Sequence, residues 1–266
     1  MSPPESTSLP PARLPASAIF TDSFVIARRN VLFLIRTPQL LVFSTIQPVM
    51  FVLLFRYVFG GAISVPASSY ASYLLPGVFV QTVIFGSTTA AVGLATDLKT
   101  GIIDRFRSLP MARSAVLAGR TAADAVRNLF VIGLMIAVGY AVDFRFEGGL
   151  LDALGAMGIA LLFGYAFSWF FSLVGMLVRE PETAQVAGFI PLFPFVFASS
   201  IFVSPASMPS WLRGFAEHQP VTKVANAVRG LSLGTATTSD VVVALLWIGA
   251  MLIVFAPLAT WRYRKG

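Results

Sequence analysis

The sequence contains no cysteine and only one histidine, His218. The first absence excludes disulfides, thiolate-bound metal and a thiol nucleophile. The second excludes a metal site built from clustered histidines. Charge is scarce as well: Asp, Glu, Lys and Arg make up 12% of the chain, against about 25% in soluble domains. No G-x-x-x-x-G-K-[ST] segment occurs, so the chain has no P-loop of its own. There is no H-E-x-x-H, no G-x-S-x-G nucleophile elbow and no aspartate-rich pair suited to diphosphate-bound magnesium. The apolar runs also lack the clustered carboxylates of a proton-driven carrier.

What is present is apolar surface. Of the 266 residues, 56% are hydrophobic, and the mean hydropathy is +0.80. This is the composition of an all-α polytopic membrane protein. The net charge of +7 has no interleaved aromatics to stack on bases, so it reads as positive-inside loop charge rather than a nucleic-acid footprint.

The chain divides into a Pro- and Ser-rich tail (1–15), read as disordered, an amphipathic stretch (16–36) and a membrane domain (37–266). In the second, Phe20, Phe24, Ala27, Val31 and Leu34 share a helical face, while Asp22, Arg28, Arg29 and Arg36 prevent spanning. It reads either as a helix in the headgroup plane or as one packed on the bundle. Thr37-Pro38 restarts the chain as N-cap and first helical residue.

Six spans are expected at about 39–59, 70–96, 115–142, 150–178, 183–203 and 240–260. Gln47-Pro48 lies mid-span in the first, where Gln47 is either a polar lining residue or an interhelical partner. Arg56 lies near its end and snorkels to the interface. The small residues after Gly86 read as close helix packing more than as a polar path. Asp124 and Arg127, three apart in span three, are expected to neutralise each other, as a structural pair more than an ion relay. Segment 204–239 holds short apolar-faced stretches, read as interfacial or partly re-entrant helices. His218 reads as a cap for the helix starting at Pro220. Fourteen Lys and Arg fall on the side of the two termini and five on the other, which places both termini in the cytoplasm.

The longest charged stretch between apolar runs is 97–113. Leu98, Ile102, Phe106 and Leu109 recur at steps of four, four and three, with Lys99, Asp104 and Arg107 turned elsewhere. A short amphipathic helix hung between two spans suits docking of a soluble partner.

Several motifs occur in a fixed order. They are Gln47-Pro48 with Phe55 and Phe59-Gly60; Tyr73-Leu74-Leu75-Pro76-Gly77; Asp97 to Arg107 with Gly101, followed by Ser108-Leu109-Pro110; Met208-Pro209 with Trp211-Leu212; and His218-Gln219-Pro220. In this order and spacing the chain resembles the membrane subunit of ABC-2 type transporters, in particular the daunorubicin-resistance-like permeases. Asp97 and Ile102 depart from the Glu and Thr common in that family.

The resemblance implies six spans, a connecting helix before the first and a coupling helix between the second and third. It implies a permease, not an enzyme, paired with a second membrane subunit as homo- or heterodimer. Two copies of a separate P-loop ATPase bind ATP and magnesium, and this chain holds no cofactor. It implies export of a hydrophobic or amphipathic substrate, whether drug, lipid or lipid-linked glycan. The coupling residues are then Lys99, Gly101, Asp104, Arg105, Phe106 and Arg107. The substrate path is assigned to Gln47, Phe51, Gln81, Phe85, Phe193 and Phe197. Ala, Val, Gly and Arg usage points to a high-GC bacterial source, hence a bacterial cytoplasmic membrane. The competing class is an ATPase-independent membrane enzyme or scaffold.

Overall fold

A computed structural model describes residues 16–61, 69–102, 113–178 and 180–265. Among them lie nine α-helices and no strand. They are α1 (Ala16–Arg36), α2 (Pro38–Leu53), α3 (Tyr70–Lys99), α4 (Arg113–Ala141), α5 (Gly149–Val178), α6 (Pro181–Phe197), α7 (Ser210–His218), α8 (Pro220–Ser232) and α9 (Thr238–Lys265). α2 runs on through a π-helical turn, Leu54–Phe59. The tail 1–15, Arg179 of the tight turn and most of the 60–69 loop lie outside the described residues.

Four helices, α3, α4, α5 and α9, are long and apolar enough to cross a membrane. The stretch Ser44–Phe59 is apolar but shorter. α6, at 17 residues, covers about 26 Å at 1.5 Å per residue, less than the roughly 30 Å of hydrocarbon.

α3 is the centre of the bundle. Apolar residues lie all around it, and 22 of its 30 residues are buried. α5, α6, α4, α8 and α2 surround it. Its contact with α5 depends on glycine. A side chain at Gly175 would run into the backbone of Ala91, whose Cα lies 2.9 Å from the position of its Cβ. Gly175→Val is therefore expected to force α3 and α5 apart at a cost of about 1–3 kcal/mol. A lowered denaturation midpoint in detergent would show this, and an unchanged midpoint would mean that the two helices are free to separate.

Span five departs from the sequence reading. A helix to Val203 is expected, but α6 stops at Phe197 and Ala198 turns out of helical geometry at φ −90°, ψ 48°. Two causes act together. Pro191 and Pro194 remove backbone donors inside the helix. Gln219 Nε2 then donates to the carbonyls of Phe195 and Ala198, both at 2.7 Å, and so takes over the acceptors of the last turn.

Gln219, not His218, occupies the N-cap position of α8. The His218 ring bonds back to Gly214 O of its own helix at 2.9 Å. α7 lies at the surface with Trp211 78% exposed. α8 is wedged among α3, α5 and α9, with eight of its 13 residues buried.

α1 packs along α4, where Gly119 lets Ile26 and the Ser23 carbonyl come close. Among its described side chains the buried apolar one is Ile26, whereas Phe24 of the expected stripe is 69% exposed and points away from the bundle. The helix therefore presents apolar residues outward while resting on the protein. Arg56, at the far end of the first apolar helix, lies 3.9 Å from Asp143.

Candidate functional site

Three helices carry phenylalanine at every fourth position, which places the rings on one face of each; the stripe on α5 (Phe163, Phe167, Phe171) is buried in the core, and the other two are partly exposed. On α2 and its π-turn these are Phe51, Phe55 and Phe59; on α6 they are Phe189, Phe193 and Phe197. The fold turns the two stripes toward each other. Phe51 meets Phe197 at 6.3 Å between ring centres, Phe197 stacks on Phe193 at 5.4 Å, and Phe193 meets Phe85 of α3 edge-on at 6.2 Å. Phe202, beyond the end of α6, closes the group at 5.7 Å from Phe51, 4.4 Å from Phe55 and 5.3 Å from Phe197.

Four residues of the expected path, Phe51, Phe85, Phe193 and Phe197, thus join one continuous aromatic array. Gln81 is one turn from Phe85 on α3 and 2% exposed, and neither amide atom has a protein partner. Gln47 is one turn from Phe51 on α2 and half-buried. Phe193 keeps 48% of its surface exposed, so the array is open along α6 rather than sealed in the core. Phe202, Phe55 and Phe189 were not singled out for the path. The every-fourth-residue spacing is the signal that identifies the latter two, whereas Phe202 is placed only by the break after α6.

At one end of the array the chain is closed by polar contacts. Arg229 of α8 is buried, stacks 3.7 Å over the Tyr73 ring and donates to Tyr73 O at 2.9 Å, Asn226 Oδ1 at 2.8 Å and Ser200 O at 2.6 Å. Thr222 Oγ1 accepts from Ser200 N at 3.1 Å. Tyr70 Oη donates to Phe202 O at 3.1 Å. These bonds hold the 198–203 segment over the aromatic rings.

The opposite end of α3 carries charge. Lys99 is its last residue and pairs with Glu180, the N-cap of α6, at 2.7 Å. Each charge sits at the helix end whose dipole favours it. Both side chains are half exposed, so solvent screens the pair and it positions the helices more than it stabilises them. The helix then ends at Thr100, and Gly101 adopts φ +72°, the left-handed cap that glycine enters without strain.

This is a departure from the expected 97–113 helix. Asp97, Leu98 and Lys99 finish α3, and the left-handed turn at Gly101 interrupts the stripe that links Leu98 to Ile102. Asp104, Arg105, Phe106 and Arg107 lie outside the described residues.

In span three, Asp124 and Arg127 act on each other's charge, as expected, but without a direct bridge. Both turn to α3, where Thr89 Oγ1 lies 3.4 Å from Asp124 Oδ1 and accepts from Arg127. Arg120 pairs with Asp97, a tie between α4 and α3 that only the folded chain reveals.

Comparison with known proteins gives a consistent result. The family profile described as ABC-2 type transporter matches residues 21–233. The chain is 37% identical over 228 residues to the daunorubicin resistance ABC transporter permease protein DrrB1 of Streptomyces coeruleorubidus, covering 86% of this chain and 81% of that protein. It is 26% identical over 272 residues to the probable doxorubicin resistance ABC transporter permease protein DrrC of Mycobacterium tuberculosis, covering 98% and 96% of the two. A putative transport permease, ycf38, of Cyanophora paradoxa is 24% identical over 218 residues, or 79% of this chain and 73% of that one.

Proposed function

The chain belongs to the ABC-2 type transporter family, and from that premise we propose how it works as the transmembrane permease subunit of an ATP-driven exporter. It spans the bacterial cytoplasmic membrane six times, through α2 with its π-turn, α3, α4, α5, α6 and α9, with both termini in the cytoplasm. It pairs with a second membrane subunit, the same or different. Two copies of a separate P-loop ATPase bind ATP and magnesium, and this chain performs no hydrolysis.

The observation that carries the transport path is the aromatic array between α2, α3 and α6. Its rings offer a planar, apolar molecule stacking partners in sequence. Gln81 and Gln47 supply donor and acceptor groups for a substrate that also has polar edges. The relatives are named for resistance to daunorubicin and doxorubicin; an amphipathic aromatic compound of that kind suits this lining. Lipids and lipid-linked glycans remain in the same substrate class.

Energy enters at the other end of α3. Closure of the ATPase pair pushes on the 97–113 segment, with Lys99, Gly101, Asp104, Arg105, Phe106 and Arg107 as its contact set, and on α1. α3 and α6 shift against their partners, and an inward-facing cleft opens outward. Substrate biases this equilibrium only through its different affinity for the two states.

The test is Phe193→Ala beside Phe51→Ala, each reconstituted with its ATPase. Loss of one stacking contact is expected to raise the substrate concentration for half-maximal ATPase stimulation by about three- to tenfold. Unchanged half-maximal values in both variants would remove the array from the path.

A further inference from the structure

We infer that Arg120 is a positioning residue that exchanges between two carboxylates, Asp97 and Asp124, and thereby carries movement of the coupling segment into the α3–α4 contact. This rests on the transport reading above and adds its conformational element.

The two facing surfaces are complementary. On α4, Arg120, Asp124 and Arg127 are spaced by four and three; on α3, Gly86, Thr89, Gly93 and Asp97 are spaced by three, four and four. Each set shares one helix face. The glycines are gaps for guanidinium groups. A Cβ at Gly86 would lie 2.9 Å from Arg127 Nη2 and 2.6 Å from Asn128 Oδ1. A Cβ at Gly93 would lie 2.7 Å from Arg120 Cζ.

Arg127 is fixed. It donates to Thr89 Oγ1, to Gly86 O and to Asn128 Oδ1. Asp124 is poorly held. Its Oδ1 faces Thr89 Oγ1 at 3.4 Å, a hydroxyl that also donates to Gly86 O at 2.9 Å, and its Oδ2 is buried with no protein partner. A buried acceptor left unpaired is costly. Arg127 and Arg120 are the two cations acting on that carboxylate; Arg127 is tied by three hydrogen bonds to Thr89, Gly86 and Asn128, whereas Arg120 is held by the single carboxylate of Asp97.

That partner, Asp97, sits in the last turn of α3, two residues before Lys99 and four before the Gly101 turn. Displacing the end of α3 from α4 releases Arg120 one helical turn from a carboxylate whose Oδ2 lacks a donor. The result is two discrete arrangements of one side chain, the kind of bistable element through which a movement propagates.

The chain has no native cysteine, so two introduced ones report cleanly. Spin labels at Thr100 and Val126, both exposed, are placed in the full complex with its ATPase. Their distance is measured without nucleotide and with a non-hydrolysable ATP analogue. Wild type is expected to move between two distances. Asp124→Asn holds Arg120 on Asp97 and stays at the nucleotide-free distance. Asp97→Asn gives Arg120 to Asp124 and stays at the other. Substrate-stimulated ATPase falls about tenfold in both variants, and Asp124→Glu restores it.

If both variants keep the wild-type response, or both shift the distance in the same direction, the exchange is wrong while the transport reading stands. A wild-type complex whose distance ignores nucleotide, or a chain that retains no ATPase, removes the transport reading and the exchange with it.

Discussion

Arg229→Ala is expected to cost about 3–5 kcal/mol, because hydrogen bonds from a charged donor each contribute about 1.5–3 kcal/mol and buried acceptors left alone add their own penalty. The guanidinium reaches three acceptors on three parts of the chain: Tyr73 O in α3, Ser200 O after α6 and Asn226 Oδ1 in α8. Truncation releases all of them and empties the face of the Tyr73 ring. Ser200 O belongs to the segment that carries Phe202 over the aromatic array, so the array loses its closure along with the fold. Lysine keeps the charge but not the planar fork, and Arg229→Lys should fall between wild type and alanine. The readout is the denaturation midpoint of each purified protein in detergent. An alanine variant as stable as wild type would mean that α8 holds its place by apolar packing alone.

The second large effect concerns coupling. Arg105→Glu with Phe106→Asp reverses a charge and removes an apolar anchor in the segment after Gly101. It is expected to abolish substrate-stimulated ATPase, a loss of more than about tenfold of the kind seen when interface anchors are truncated. Expression and membrane insertion are expected to persist, since neither residue belongs to an apolar span. Retained stimulation would sink the contact assignment. It would also favour a membrane scaffold that has no ATPase, a class that tolerates both changes as long as the chain assembles.

The helices were legible because apolar runs of the right length are hard to place elsewhere, and Phe51, Phe193 and Phe197 were legible as members of two of those runs. That the stripes face each other was not, since span-to-span pairing leaves no local mark. Arg229 shows the limit well. By sequence it is one of five cations on the far side of the membrane, and a solvated loop charge is the ordinary reading. It is buried because α8 returns into the bundle, and only then do the Tyr73 and Ser200 carbonyls become its partners. Gln219 is similar: residues 198–203 are apolar enough to extend the fifth span, and a side chain twenty residues later ends it. The small residues of α3 carry two meanings that look alike in sequence. The backbone of α3 at Ala91 comes close to α5 because Gly175 has no side chain, whereas Gly86 and Gly93 admit arginines from α4.

The most direct measurement of the central claim is recovery of this chain from its native membranes in mild detergent, with mass spectrometry of what accompanies it. A soluble P-loop ATPase in about one-to-one ratio is the expected companion, and a second six-span protein beside it would make the membrane pair a heterodimer. Recovery of the chain alone, or with biosynthetic enzymes only, in a repeat stabilised by cross-linking would contradict the ATP-driven reading.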